Sequence, residues 1–149
     1  MVIRPAEKLG TMFGVWCAIL VCTVGCNKQP QLAPVHGTIT LAGKPIGPGN
    51  ILFIPNVAEG TKGKAASGSF ETDGQYFLTT FREGDGALVG DHTVVITPRA
   101  VGAEPGGEVA TRTKLPPIPR RYSRAAQSGL SATVREGANT IDFPLSIRP

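Results

Sequence analysis

Asp73-Gly74-Gln75-Tyr76-Phe77-Leu78-Thr79-Thr80-Phe81 and, beyond Gly84-Asp85-Gly86, Gly90-Asp91-His92-Thr93-Val94-Val95-Ile96-Thr97-Pro98 form the stretch that decides the fold class. Both runs are rich in β-branched and aromatic residues and are bounded by Asp/Gly clusters, the pattern of successive antiparallel strands. Asp73-Gly74 predicts a tight turn, because this pair tolerates positive φ at small cost. The two runs are expected to form the central hairpin of the domain.

Upstream, Val35-His36-Gly37-Thr38-Ile39-Thr40-Leu41 places Val35, Ile39 and Leu41 on one face and His36, Thr38 and Thr40 on the other. Such period-two alternation marks a half-buried strand. Residues 42–49 read as a turn, in which Pro45 and Pro48 argue against ladder pairing. Residues 50–55 are apolar on both faces, as in an interior strand, and residues 65–72 lead as a strand into the Asp73-Gly74 turn. Downstream, residues 129–134 and 140–147 supply two more strands around a Glu136-Gly137-Ala138-Asn139 turn, with Ile141, Phe143, Leu145 and Ile147 alternating in the last. About seven short strands at this spacing, with no amphipathic helical pattern, predict an all-β, two-sheet antiparallel β-sandwich. Its predicted core is Ile39, Leu41, Phe53, Phe70, Phe77, Val94, Ile96, Val134, Ile141, Phe143 and Leu145.

Composition agrees with one domain. Apolar residues make up 41% and charged residues 17% of the 149, too apolar for a disordered chain. Nineteen Gly and thirteen Pro call for many turns, which again favours β structure. Of the formal net charge of +4, Arg4 and Lys8 against Glu7 contribute +1, leaving +3 after the leading segment. That is too weak a charge to indicate nucleic acid, which requires a clustered basic face.

The leading segment has Arg4 and Lys8 ahead of an uncharged apolar run at residues 12–25, which ends in Thr23-Val24-Gly25-Cys26 and then turns polar. The run is short of the ~20 residues of a spanning helix and suits the core of an export signal. A small residue directly before a cysteine at the end of such a run resembles the lipobox of bacterial lipoproteins. The resemblance implies cleavage after residue 25, fatty acylation (palmitate among the acyl chains) of Cys26, and a membrane anchor on the outer membrane or another periplasmic face. Cys17 and Cys22 would leave with residues 1–25, so the exported part has one cysteine and no internal disulfide. The expected organisation is a signal peptide over 1–25, a lipidated tether over 26–34 and the β domain over 35–149.

The opening Val35-His36-Gly37-Thr38-Ile39-Thr40-Leu41-Ala42-Gly43-Lys44-Pro45-Ile46 and the hairpin Thr72-Asp73-Gly74-Gln75-Tyr76 resemble carboxypeptidase-regulatory-like, transthyretin-like domains. The far end, Ile118-Pro119-Arg120-Arg121-Tyr122, Ser128-Gly129-Leu130, Val134, Gly137, Asn139 and Asp142-Phe143-Pro144-Leu145, is similar to small bacterial lipoproteins carrying one such domain. The resemblance spans roughly residues 35–147. It implies the fold, an accessory or adhesive role, and no shared catalytic residues or cofactor.

Tests for chemistry point the same way. The exported part has His36 and His92 but no Gly-x-Ser-x-Gly and no phosphate-cradling glycine loop. His36 alternates onto the polar face of its strand, and His92 beside Asp91 reads as a turn hydrogen bond. Glu83, Asp85 and Asp91 surround a glycine-rich loop but fit no calcium-loop spacing, so no metal is expected. Residues 98–128 form a long Pro- and Gly-containing segment with Arg112, Lys114, Arg120, Arg121 and Arg124 against Glu104 and Glu108. With Tyr122, these five cations are the candidate ligand-binding residues, suited to a polyanion or carbohydrate. The sequence reading is thus a non-enzymatic, lipid-anchored binding or structural module of the cell envelope. Its expected partners are the membrane and envelope proteins or polysaccharide. The alternative is a carbohydrate- or polyanion-binding lipoprotein that uses the basic loop over residues 98–128.

Overall fold

The computed structural model describes residues 31–100 and 115–147. The expected signal segment, Cys26, Arg112 and Lys114 lie outside the described residues. The strands, in chain order, are β1 (Leu32–Ala33), β2 (Val35–Leu41), β3 (Lys44–Pro45), β4 (Gly49–Pro55), β5 (Ala66–Phe70), β6 (Gln75–Phe77), β7 (Ala87–Leu88), β8 (Gly90–Pro98), β9 (Leu130–Val134), β10 (Asn139–Thr140) and β11 (Phe143–Leu145). One curled sheet runs β10-β2-β6-β5-β4-β8-β9, with β11 and β3 also paired to β2, and β1 pairs separately with β7. The architecture is all-β, and the helical pieces are single turns: Val57–Glu59, Arg120–Ser123 and α1 (Ala125–Ser128).

β4 sits near the middle because its alternation buries Gly49, Ile51, Phe53 and Pro55 and leaves Leu52 and Ile54 half-covered. It pairs antiparallel with β5 on one side and β8 on the other. Phe53 is the hub of the core, with ring centroids 5.9 Å from Phe143 in an edge-on contact, 6.5 Å from Tyr76 and 5.7 Å from His92. Edge-to-face contacts of this kind add to the burial energy of the rings. Ile39, Leu41, Phe70, Val94, Ile96, Val134 and Leu145 complete the core as the alternation predicts.

The runs at residues 73–81 and 90–98 both supply strands, but these do not form a hairpin with each other. β6 pairs with β2 and β5, whereas β8 pairs with β4 and β9. The Asp73-Gly74 turn does join two neighbours, β5 to β6: Gly74 N–H donates to Glu71 C=O at 2.9 Å, and Asp73 Oδ1 accepts Gln75 N–H at 3.1 Å. The second glycine cluster instead closes a loop around Asp85, whose carboxylate accepts N–H groups from Thr80 (2.7 Å), Phe81 (2.9 Å) and Arg82 (2.8 Å). That loop turns the chain toward β1, not back onto β6.

Phe77 is 52% exposed, contrary to its predicted place in the core, and Ile141 is only partly buried. Tyr76-Phe77-Leu78 is apolar throughout, and a strand can bury either the middle residue or the outer two. Here Tyr76 and Leu78 go inward, which buries more apolar area. Pro45 also departs from expectation: Lys44–Pro45 pairs with Leu41 and Thr40 as the returning limb of a tight hairpin. Leu32 and Ala33, assigned to the tether, form β1 opposite Leu88 and Ala87, and Ala33 is buried.

The last strand pairs parallel to β2, not antiparallel. Asn139 and Thr140 lie opposite Val35 and His36, and Phe143 to Leu145 lie opposite Ile39 to Leu41 in the same register. Between them the ladder is interrupted at Gly37. A Cβ there would lie 1.9 Å from the Ile141 carbonyl oxygen, so only glycine admits this approach. The displaced Ile141 carbonyl accepts the Tyr76 hydroxyl at 2.7 Å, and Asp142 Oδ1 takes the Thr38 N–H at 2.7 Å. Burial, with the Asp142 charge nearby, holds the Tyr76 phenol protonated well above the usual tyrosine range. Replacing Tyr76 with Phe leaves the Ile141 carbonyl without its donor, so the urea midpoint should fall by the equivalent of about 1–3 kcal/mol. An unchanged midpoint would show that water replaces the hydroxyl at no cost.

Candidate functional site

The described part of the basic segment is built into the fold. Ile118 and Tyr122 are buried against the core, so the segment from residue 115 onward is fixed to the sheet. Tyr122 Oη accepts the Ser146 N–H at 3.0 Å and lies 3.3 Å from the Ser146 carbonyl. The Arg121 guanidinium stacks 4.6 Å above the Tyr122 ring and donates to Tyr122 Oη and the Ser146 carbonyl. Pairing of β8 with β9 stops at Val94, and beyond it the Ser123 hydroxyl donates to the Ile96 carbonyl at 3.1 Å. The segment therefore caps an edge that would otherwise expose strand carbonyls. Arg124 reaches Gln127 at 3.3 Å, and Arg120 is exposed. The six candidate residues thus divide: Arg121 and Tyr122 are structural, Arg120 and Arg124 face outward, and Arg112 and Lys114 lie outside the described residues.

Asp85 and Asp91 are likewise committed. Burial alone would raise the Asp85 carboxyl, but the three backbone N–H groups outweigh it, with the Lys64 charge assisting, and hold it below the usual carboxylate range. Asp91 Oδ1 accepts the Thr133 hydroxyl. Among the described residues no group of three His, Cys, Asp or Glu side chains is placed to hold a metal ion. His36 is exposed and lies 3.0 Å from the Thr140 hydroxyl. His92 does make the expected turn contact, Nδ1 to the Gly90 carbonyl at 3.0 Å, but it is buried, and its Nε2 has no hydrogen-bond partner. Burial pushes its pKa below the ordinary histidine value, against the Gly90 carbonyl and Asp91, which favour the cation.

A different surface, which sequence reasoning missed, gathers side chains that the fold does not use. On the outer face of β4, β5 and β6, Phe77 stands in an open concavity of about 480 Å³ lined by Asn50, Ser67, Ser69, Thr79 and Glu83. Gly68 forms its floor, where a Cβ would lie 2.3 Å from the Phe77 carbonyl oxygen and push the two strands apart. Thr79 Oγ1 accepts the Gly84 N–H at 3.1 Å. Asn50, Ser67, Ser69 and Glu83 make no side-chain hydrogen bond to the described residues. The sequence signal for this face was the Ser67-Gly68-Ser69 alternation opposite an apolar triplet, once Tyr76 and Leu78 are assigned inward.

No family model, curated protein or solved structure matches the chain.

Two outcomes test these assignments. Arg121→Ser should lower stability by about 1–2 kcal/mol through lost charge-assisted hydrogen bonds, whereas Arg120→Ser and Arg124→Ser should each stay within about 0.5 kcal/mol. Equal effects at all three positions, measured by denaturant unfolding, would contradict the division.

His92 makes stability pH-dependent. Its folded-state pKa lies below the unfolded value of about 6.5, so the unfolded chain binds the proton first. The contribution is complete above that value and is lost as pH falls from about 6.5 toward the folded pKa. The urea midpoint should drop between pH 7.5 and pH 5, and His92→Gln should flatten that part of the profile. A profile identical to that of the unsubstituted protein would remove His92 as the cause.

Proposed function

We propose that this chain is an exported, lipid-anchored protein of the cell envelope whose folded part is a transthyretin-like β-sandwich acting as a non-catalytic binding module. The observation that supports it best is where the fold begins. β1 starts at Leu32, so only residues 27–31 would separate an acylated Cys26 from the first paired strand. Five residues reach at most ~18 Å, so the domain would be held close to the bilayer. Two or three acyl chains, at about 0.8 kcal/mol per buried methylene, make such an anchor stable.

The transthyretin-like assignment draws on what the motif residues do. Gly37 permits the approach of Ile141, Asp73-Gly74 turns β5 into β6, and Asp142 completes the β2 ladder. Asn139 braces its own turn, with Oδ1 accepting the Arg135 N–H at 2.9 Å and Nδ2 donating to the Arg135 and Gly137 carbonyls. These residues of the resemblance are therefore fold-forming ones. A non-catalytic role fits their use as structural parts.

The test is detergent phase partitioning with intact mass. The protein from its own membranes should enter the detergent phase, with its mass matching residues 26–149 plus fatty acyl groups. Cys26→Ala should stay in the aqueous phase or retain residues 1–25. An unsubstituted protein that is aqueous and carries no acyl mass would overturn the anchor.

A further inference from the structure

The strand register lines up one row of side chains across the outer face of the sheet. Thr140 lies opposite His36, and His36 opposite Phe77. The Phe70–Tyr76 and Ser67–Thr79 pairings place Ser69 opposite Phe77. Ser69 lies opposite Asn50, and Asn50 opposite Thr97. Opposed residues in a ladder share a face, and neighbouring strands lie ~4.8 Å apart. The row therefore crosses six strands and extends over roughly 24 Å. Every member but one is a hydroxyl, an amide or an imidazole. The exception is the half-exposed ring of Phe77, and the concavity with Ser67, Thr79 and Glu83 opens beside it.

We infer that this face is a saccharide-binding site, taking an extended neutral oligosaccharide whose ring stacks on Phe77 and whose hydroxyls bond to Asn50, Ser67, Ser69 and Glu83. An aromatic face carries partial negative charge and attracts the weakly positive C–H face of a pyranose. The surrounding side chains offer both donors and acceptors at short reach, which matches a ligand covered in hydroxyl groups. Other ligand classes fit worse. Glu83 is the single charged group lining the concavity, so an anionic polymer is repelled there. One phenyl ring among hydroxyls gives an apolar helix or strand too little to bury. The polar side chains are also free to bind: those of the described fold's turns and bulges are spent on backbone groups, whereas Asn50, Ser67, Ser69 and Glu83 bond to nothing in it. This inference rests on the reading of the chain as a binding module, but it does not depend on the lipid anchor.

The experiment titrates the full-length chain, in detergent micelles, with cellohexaose, maltohexaose and the hexamer of N-acetylglucosamine in turn. Binding is read by calorimetry and by amide chemical shifts. At least one probe should bind, with shifts concentrated at residues 50, 67–69 and 77–83. Phe77→Ala should weaken that probe about tenfold, the scale of one lost stacking contact, while the protein stays folded because the ring is half-exposed and lies outside the core. Phe77→Trp should retain binding. Three results would overturn the site: no binding by any probe at millimolar concentration, affinity indifferent to Phe77→Ala, or shifts centred on residues 115–128. Loss of detergent partitioning in the anchor experiment would leave these outcomes untouched, so the two proposals fail separately.

Discussion

The close approach of Ile141 to Gly37 is the constraint on which the rest of the structure depends. It brings the end of the chain against β2, and β2 carries most of the curled sheet through β6 on its other edge. A parallel ladder in this register would have Thr38 N–H donate to the Ile141 carbonyl. Instead Asp142 supplies the acceptor and Tyr76 supplies a donor for the freed carbonyl. Two side chains, Asp142 and Tyr76, thus satisfy two backbone groups that would otherwise be left unpaired near the core. The same tyrosine packs its ring against Phe143 at 6.3 Å, so the polar repair and the apolar core share one side chain.

Much of the fold was legible because alternation is a local signal. β2 and the last strand follow it, and Ile39, Leu41, Phe143 and Leu145 are buried as it predicts. The Asp73-Gly74 turn was legible for the same reason, since its chemistry lies within four residues. Strand pairing was not. Nothing local says that β8 skips β6 to pair with β4, because that choice is made by the Asp85 loop and by the pairing of β1 with β7. Nor does a Tyr-Phe-Leu triplet say which two of its members face inward. Burying two side chains instead of one favours the outer pair, and Ile141, sixty-five positions away, offers Tyr76 an acceptor there.

The candidate site shows the opposite balance. The basic cluster was conspicuous in sequence because charge is easy to count, yet Arg121 and Tyr122 hold the chain end in place through Ser146. The outer face around Phe77 was silent because serine, asparagine and glycine in strands read as filler. It becomes visible only when register sets them in one row. Side chains that a fold consumes and side chains it leaves over have the same letters, and only their partners separate them.

The parallel pairing of β2 with β10 and β11 has a mechanical consequence. The chain enters β2 at Val35 and leaves β11 at Leu145, which lies beside Leu41 at the far end of β2. Tension between the two ends of the domain therefore pulls the paired strands past one another along their length. The ladder bonds, the Asp142 bridge and the Tyr76 bond share that load together and do not open one after another. A domain tethered at its amino-terminal end and tugged from its other end resists in shear, the geometry in which a short ladder is hardest to break by force.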